Sequence, residues 1–433
     1  MNSEKGTVAV IVGRYPALSE TFVVREIVGL KALGWRVLTV SLWPAGSDLP
    51  TNVPGANRCV YGQGTLSVLW SVMAAILISP ICTIRTLGLG MRDAIAPGEP
   101  LALKDRAKVL CHAAVGLSVG RWLRRRGVEH VHCHFAHAPT TIGMYAAHAS
   151  RLTFSFVGHA NDLFERRILL KRKLERAAFL SCISQWHRSW YRSICDDRSD
   201  RYRVIRCGVD THTWTPHHYR PVSSSLRVAT VCRLVPKKGI DLALRALSKT
   251  EEQWSFQIIG VGPEQARLRA LSEELGCQSR VVFAGALSND EVRARLATVD
   301  LFLLPCREDE RGDRDGIPVS LMEAMSMGVP VITGDLPTIR ELVDSSVTGF
   351  CADTSDELDL VTLIRTCARN RELRESIGRA GRERVKSEFS LSENLSRLDR
   401  ALLQIIAFRA IEQHNITDDR PNWGQPRSSR ATS

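Results

Sequence analysis

Short, almost unbroken apolar runs recur along this chain at intervals of roughly 20 to 40 residues. Val8–Val12, Arg36–Leu42, Phe154–Val157, Leu180–Ser184, Arg227–Cys232, Phe256–Gly260, Val281–Gly285 and Leu301–Leu304 are of this kind. Such runs predict strands buried on both faces, as in a parallel sheet covered by helices. Helix signals separate them. Ser19 is placed to cap a helix over Glu20–Leu33 that Gly34 closes, and Pro139–Ser150 reads as another helix. Ser184 is placed to cap Gln185–Ile194, and Ser288 to cap Asn289–Ala297, where Asp290 and Glu291 suit the first turn. Val319–Met327 ends at Gly328, and Asp356–Val385 and Leu391–Ile411 read as charged or amphipathic helices. Strand, loop, helix, strand, repeated in this way, predicts an α/β fold.

The pattern occurs twice. A polar, Pro-containing stretch at Thr215–Ser225 lies between the two series, and 433 residues suit two cores better than one. The expected division is 1–215, 216–390, a C-terminal helix 391–413 and a disordered tail 414–433. Charge follows this division. Residues 1–216 hold 28 Lys and Arg against 15 Asp and Glu, whereas the remainder holds 30 against 31. The basic half therefore suits an anionic lipid surface or a phosphate-bearing acceptor. Nucleic acid is not expected, because no RNP, zinc-finger or helix-turn-helix pattern accompanies the charge.

One apolar run differs from the rest. Leu66–Cys82 is uncharged and near the lower limit for a membrane span, but Pro80 interrupts it. It is read as a span, a buried core helix or a membrane-surface contact. The cluster Arg121, Arg124, Arg125, Arg126 and the run Arg166–Lys173 could supply the charge for docking. Twelve Cys without a CxxC pair, several within apolar runs (Cys182, Cys232, Cys306), predict buried reduced thiols. The polar Met1–Gly6 does not resemble a signal peptide.

Candidate chemistry concentrates at strand ends. In Leu301–Val343 a charged loop follows a buried strand, and Asp315 and Glu323 bracket the turn Gly316-Ile317-Pro318 and the next helix, with Pro318 expected in its first turn. That position, beyond the carboxyl end of a parallel strand, is where open α/β sheets bind ligands. Arg233 and Lys238, five apart at another strand-to-helix turn, can converge on one anion at a helix N-terminus; Lys237 is expected to face solvent. Glu129–Phe135, EHVHCHF, places His130, His132 and His134 on one face of a strand. Their spacing of about 6–7 Å is too wide for one zinc ion. No GxGxxG follows the first strand, so a dinucleotide oxidoreductase is not indicated.

These motifs resemble those of a known family. D-G-I-P-V-S-L-M-E-A-M-S-M-G-V-P-V-I is similar to the acidic-x7-acidic motif of GT-B glycosyltransferases, specifically retaining glycosyltransferase family 4, with Asp315 in place of the usual Glu. P-A-L-S-E-T-F-V-V-R-E-I resembles the opening of colanic-acid-type transferases, and H-x-H-F-A and H-A-x-D are similar to further family motifs. Cys207 and Cys232 depart from the family's N-G-V-D and G-R-L-x-x-x-K-G forms. The resemblance implies two Rossmann-like domains facing across a cleft, with His159 and Asp315 near the donor sugar and Arg233 and Lys238 on the diphosphate. It implies that Glu323 holds the ribose hydroxyls and that Gly262, Gly316, Ile317 and Pro318 approach the nucleotide sugar. It also makes Ser19, Glu20 and Thr21 cleft residues. Asp162 would orient an imidazole or a loop amide.

The expected activity is sugar transfer, with retention, from a UDP- or GDP-sugar to a glycan or polyprenyl-linked acceptor in exopolysaccharide biosynthesis. No metal or other cofactor is expected. The expected location is the cytoplasm, at the inner face of the plasma membrane. A sugar-nucleotide epimerase, a phosphorylase and a non-catalytic partner protein remain as alternatives.

Overall fold

The structure is a computed structural model and describes residues 5–17, 20–46, 54–159, 163, 168–195, 200–216 and 224–418. Ser19, Asp162 and residues 217–223 of the expected hinge lie outside that set.

The first sheet contains β1 (Thr7–Arg14), β2 (Arg36–Trp43), β3 (Arg58–Cys59), β4 (His130–His134), β5 (Thr153–Gly158), β6 (Phe179–Cys182) and β7 (Tyr202–Val204), in the order β3-β2-β1-β4-β5-β6-β7. Every pairing is parallel; Val8, for example, lies between Val37 and His130. The reason lies in burial. Residues 7–13 are all buried, so β1 needs a helical layer on each face. Val8, Val10 and Val12 pack toward α1 (Thr21–Ala32) and the chain's last helix, while Ala9 and Ile11 pack into the opposite cluster. That second face carries α2 (Gly64–Ile78), α3 (Pro80–Ile95), α4 (Leu103–Arg124) and α5 (Ala138–Ser150). The short α6 (Leu170–Arg176) and α7 (Gln185–Ile194) complete this half.

The second sheet contains β8 (Leu226–Val231), β9 (Trp254–Ile259), β10 (Val281–Gly285), β11 (Leu301–Leu304), β12 (Val331–Gly334) and β13 (Phe350–Ala352), in the order β10-β9-β8-β11-β12-β13 and again parallel. Its helices are α8 (Ile240–Ser248), α9 (Gln265–Glu274), α10 (Asn289–Leu296), α11 (Val319–Ser326), α12 (Glu357–Arg369) and α13 (Arg371–Glu388). Strand order therefore reverses between β1 and β4 in one sheet and between β8 and β11 in the other. Those two switch points open crevices at the strand carboxyl ends.

α14 (Leu391–Asp418) runs from the second half onto the first sheet. Leu398, Ala401 and Leu402 join the core beside β1, and Asp399 accepts from Lys5 Nζ (2.9 Å) and Trp35 Nε1 (2.7 Å). The helix continues four residues past His414, where a disordered tail was expected. Two other expectations change. Pro318 is the residue just before α11 rather than in its first turn, and the apolar run Leu66–Cys82 is broken at Ser79–Pro80 into α2 and α3, bent by 118°. No helix among the described residues is long and apolar enough to cross a membrane. The core-helix reading also fails, because α2 and α3 expose Leu66, Trp70, Leu77, Ile81 and Ile84 by more than 70% each. Lys173, expected in a surface basic run, is fully buried, its ammonium donating to the carbonyls of Ala136 and Ile168.

Candidate active site

The crevice at the second switch point is assembled from the loops after β8 and β11. The β8 loop, Cys232 to Lys238, ends in a single 3-10 turn at Pro236–Lys238. Gly239 follows at φ +65°, and a Cβ there would sit 2.1 Å from the Pro305 carbonyl oxygen, so the turn requires glycine. This brings the Lys238 ammonium to 2.8 Å from Asp315 Oδ2. Asp315 also accepts from the Cys306 thiol at 3.2 Å, and its backbone carbonyl accepts from Thr338 Oγ1 at 3.0 Å. Burial works against both charges of the pair, but the attraction wins. The Asp315 carboxyl lies below its ordinary range despite burial, and the Lys238 ammonium lies above its own because Asp315 outweighs the cost of desolvation.

Lys237 does not face solvent as expected. Its ammonium is 2.9 Å from Asp313 and 3.5 Å from Asp315. The Asp313 carboxylate of the β11 loop draws it inward. Arg233 is the complement: it is exposed and pairs with no described residue. Gly262 lies where the β9 loop crosses the β8 loop, its Cβ direction blocked at 2.2 Å by the Leu234 carbonyl oxygen.

Glu323, on α11, is buried and pairs with Arg25 Nη2 of α1 at 2.6 Å. Burial raises its carboxyl above the ordinary value even though Arg25 pulls the other way. This pair joins the two halves of the molecule, as do other contacts. A Cβ on Gly316 would meet Ile183 Cδ1 at 2.8 Å and the His159 carbonyl oxygen at 3.0 Å, so the turn Gly316-Ile317-Pro318 lies directly against the end of β5. Glu341 accepts from the first N–H groups of α7, Gln185 (2.8 Å) and Trp186 (2.7 Å), and pairs with Arg206 at 3.1 Å.

His159 is thus brought to the interface between the halves. Its ring packs on Phe22 (4.5 Å), Phe135 (4.9 Å) and, nearly parallel, on His134 (5.8 Å, 8°). The Cys207 thiol lies 3.9 Å from its Nδ1. Beneath it is a cavity of about 20 Å³ lined by Phe22, Glu26, His134, Cys207 and residues of α14, room for about one water. Thr21 opens α1, and Glu20 precedes it without a side-chain cap bond.

The histidines of β4 are arranged differently from the expected row of three. His130 turns away to Thr153 Oγ1 and Ser155 Oγ, 2.7 Å each, and burial pushes it down to about 3. His132 and His134 instead meet Glu26 of α1, at 3.4 and 3.0 Å, so that ligand-type atoms of these three lie within 4.8 Å of one another. Arg25 and Glu26 were not singled out from sequence. Both stand in the quoted R-E-I, and their adjacency on a helix leading from the first strand was the available signal.

Two family models match the chain: Glycosyltransferase Family 4 over residues 93–213 and Glycosyl transferases group 1 over residues 220–384. The chain has the GT-B fold and resembles glycosyltransferases of exopolysaccharide biosynthesis. Relatives include the colanic acid biosynthesis glycosyltransferase WcaL of Escherichia coli K12, 34% identical over 44% of this chain and 48% of that one. The amylovoran biosynthesis glycosyltransferase AmsK of Erwinia amylovora is 27% identical over 56% and 63%. The chain thus spans about half to two thirds of the length of these relatives. Crystal structures with the same fold include Anabaena HepE with UDP and glucose (TM-score 0.67, 16% identity, 92% of this chain and 99% of that one) and the sucrose-phosphate synthase of Thermosynechococcus elongatus (0.69, 16%, 93% and 99%).

Proposed function

We propose that this GT-B chain transfers a sugar, with retention of configuration, from a UDP- or GDP-sugar to a glycan or polyprenyl-linked acceptor during exopolysaccharide assembly. The observation that carries this reading is the cation arrangement at the second switch point. Lys238 is held on Asp315, and Arg233, five residues earlier on the same loop, is exposed, so a nucleoside diphosphate bound at this loop would meet both. Preorganised cations facing a developing negative charge supply several kcal/mol to such a step. Glu323, a carboxylate able to accept two hydrogen bonds, suits a ribose diol, and the Gly316 turn suits the donor sugar next to His159.

In the proposed step the bond from the sugar C1 to the diphosphate oxygen breaks and a C1–O bond to the acceptor forms on the same face. The acceptor proton passes to the departing phosphate oxygen, and Arg233 and Lys238 hold the resulting charge without a metal ion. The acceptor side falls to the basic first half. There the exposed apolar faces of α2 and α3, with Arg85, Arg92 and Arg124 close by, suit docking in an anionic membrane surface at the cytoplasmic side.

Calorimetric titration with UDP and GDP in the presence of EDTA tests the donor site. One nucleotide should bind the wild type, and Arg233→Ala should lose roughly 1.5–3 kcal/mol of that binding, as for a hydrogen bond to a charged group. A folded protein that binds neither nucleotide would contradict the reading.

A further inference from the structure

The first switch point holds a second buried charge cluster that the donor site does not use. Glu26 lies on α1, directly after β1, and His132 and His134 lie on β4, the neighbouring strand. His134 Nε2 is 3.0 Å from Glu26 Oε1, a hydrogen-bond distance; His132 Nε2 is farther, at 3.4 Å. On its other side His132 Nδ1 meets Ser155 Oγ at 2.7 Å, the same oxygen that His130 Nε2 meets. A hydroxyl has one proton, so Ser155 donates to one ring and accepts from the other. Hydrogen-bonded partners therefore run from Thr153 through His130 and Ser155 to His132, whose Nε2 faces Glu26 without hydrogen-bonding it, while His134 bonds Glu26 directly. Both rings of the pair facing Glu26 are buried to within 1%.

We propose that Glu26 and His134 form a positioning dyad for the transfer step, Glu26 fixing the His134 ring and His134 fixing His159. This rests on the sugar-transfer reading above. The geometry is specific to that task. A ring hydrogen-bonded at Nε2 to a carboxylate cannot flip without breaking a charge-assisted bond. His134 then presents one face to His159, 5.8 Å away and nearly parallel, while Phe22 and Phe135 close on the same imidazole from other directions. His159 thus has little freedom, and its carbonyl oxygen faces the Gly316 turn, where the donor sugar is expected. His134 Nδ1 is buried and has no hydrogen-bond partner among the described residues, so the ring is held from the Glu26 side alone. Burial opposes a charge on Glu26, but His134 and His132 more than offset it and keep the carboxyl well below its ordinary range. The anchor is therefore an ion at neutral pH.

The test combines a spectroscopic and a kinetic readout. Imidazole 15N–1H correlation spectra of the wild type should show His134 protonated at Nε2, and Glu26→Gln should change that signal and shift His159. Nucleotide release from UDP-glucose or GDP-mannose, whichever base the calorimetry selects, should fall at least 30-fold in kcat for Glu26→Gln. Donor KM and nucleotide affinity should stay within threefold. The double variant Glu26→Gln/His134→Gln, in which two amides can still bond each other, guards against a folding defect and should be no slower than the single one, because the pair acts as a unit. An unchanged kcat, losses that multiply in the double variant, or a His134 signal indifferent to Glu26→Gln would overturn the dyad. Stoichiometric uptake of Zn2+ or Co2+ that Glu26→Gln abolishes would also overturn it in favour of a metal site. A wild type with the expected His134 signal but no turnover would remove the transfer reading, and the positioning role with it.

Discussion

Arg233 and Lys238 sit five residues apart on one loop, yet their environments make different predictions for the same substitution. Lys238 belongs to a buried ion pair: its partner Asp315 is buried, and the only other cation near that carboxylate among the described residues is Lys237, at 3.5 Å. Removing it leaves a buried charge poorly paired, which typically costs about 3–5 kcal/mol. Lys238→Ala should therefore lower both thermal stability and nucleotide affinity, and a melt alongside the calorimetry checks both. Arg233 is exposed, so Arg233→Ala should leave the melting temperature within about 1–2 °C while weakening nucleotide binding. Equal stability losses in the two variants would refute this assignment of environments. The sequence pattern located both cations, because strand-to-helix turns announce themselves through a buried run followed by Pro, Lys and Gly. It could not foresee that Asp313 would draw Lys237 inward. Nor could it foresee that Arg25 would cross to Glu323, 298 residues away, since neither contact has a local signature.

Elements were legible where burial alone determines them. The continuous apolar runs became parallel strands within one or two residues of expectation, and Ser184 and Ser288 cap their helices as the spacing indicates, the second through a full capping box with Glu291. The exception is α2–α3. An uncharged apolar run satisfies a core helix, a span and a surface helix equally well, and only the position of neighbouring helices separates them. In the folded chain Thr83, Thr86, Gly90 and Ala94 face inward, and a Cβ on Gly90 would touch Ala113 Cβ at 2.6 Å. The small residues are spent on packing, and the large ones are left outside. Ten large apolar side chains of these two helices are exposed, more than scattered surface hydrophobics account for. Each one buried in lipid contributes about 1.5–3 kcal/mol, and each nearby Arg about 1 kcal/mol at an anionic surface. The protein should co-float with vesicles rich in phosphatidylglycerol and less with phosphatidylcholine alone. Trp70→Ser with Ile81→Ser should abolish flotation without changing the melt. Retained flotation in that variant would place membrane contact elsewhere.

At the scale of the whole molecule, the two halves differ in how they answer acid. Of the described histidines, all but His414, near the end of α14, lie in the first half. Two of them are pushed well below the ordinary imidazole range: His130 to about 3, chiefly by burial with His132 and Arg409 adding to it, and His112 to about 4, by burial and the nearby Lys173 and Lys108. A depressed histidine remains neutral in the folded chain while the unfolded chain takes up a proton below about pH 6.5. Stability contributed by these sites is therefore intact above that pH and is lost as pH falls toward 4 and 3. From pH 7.5 to 5.5 the two together should cost the first half roughly 2–3 kcal/mol, or about 5–10 °C in its melting temperature. The second half has no such histidine among its described residues, its buried Asp315 is held below the usual carboxylate range, and burial raises Glu323, whose raised carboxyl gains rather than loses stability as pH falls, so this half should not be weakened over that window. Scanning calorimetry at the two pH values should resolve one transition that moves down and one that does not. If Arg25–Glu323, Glu341 and α14 couple the halves tightly enough, both transitions would instead shift together, and the molecule would have to be treated as one cooperative unit despite its two sheets.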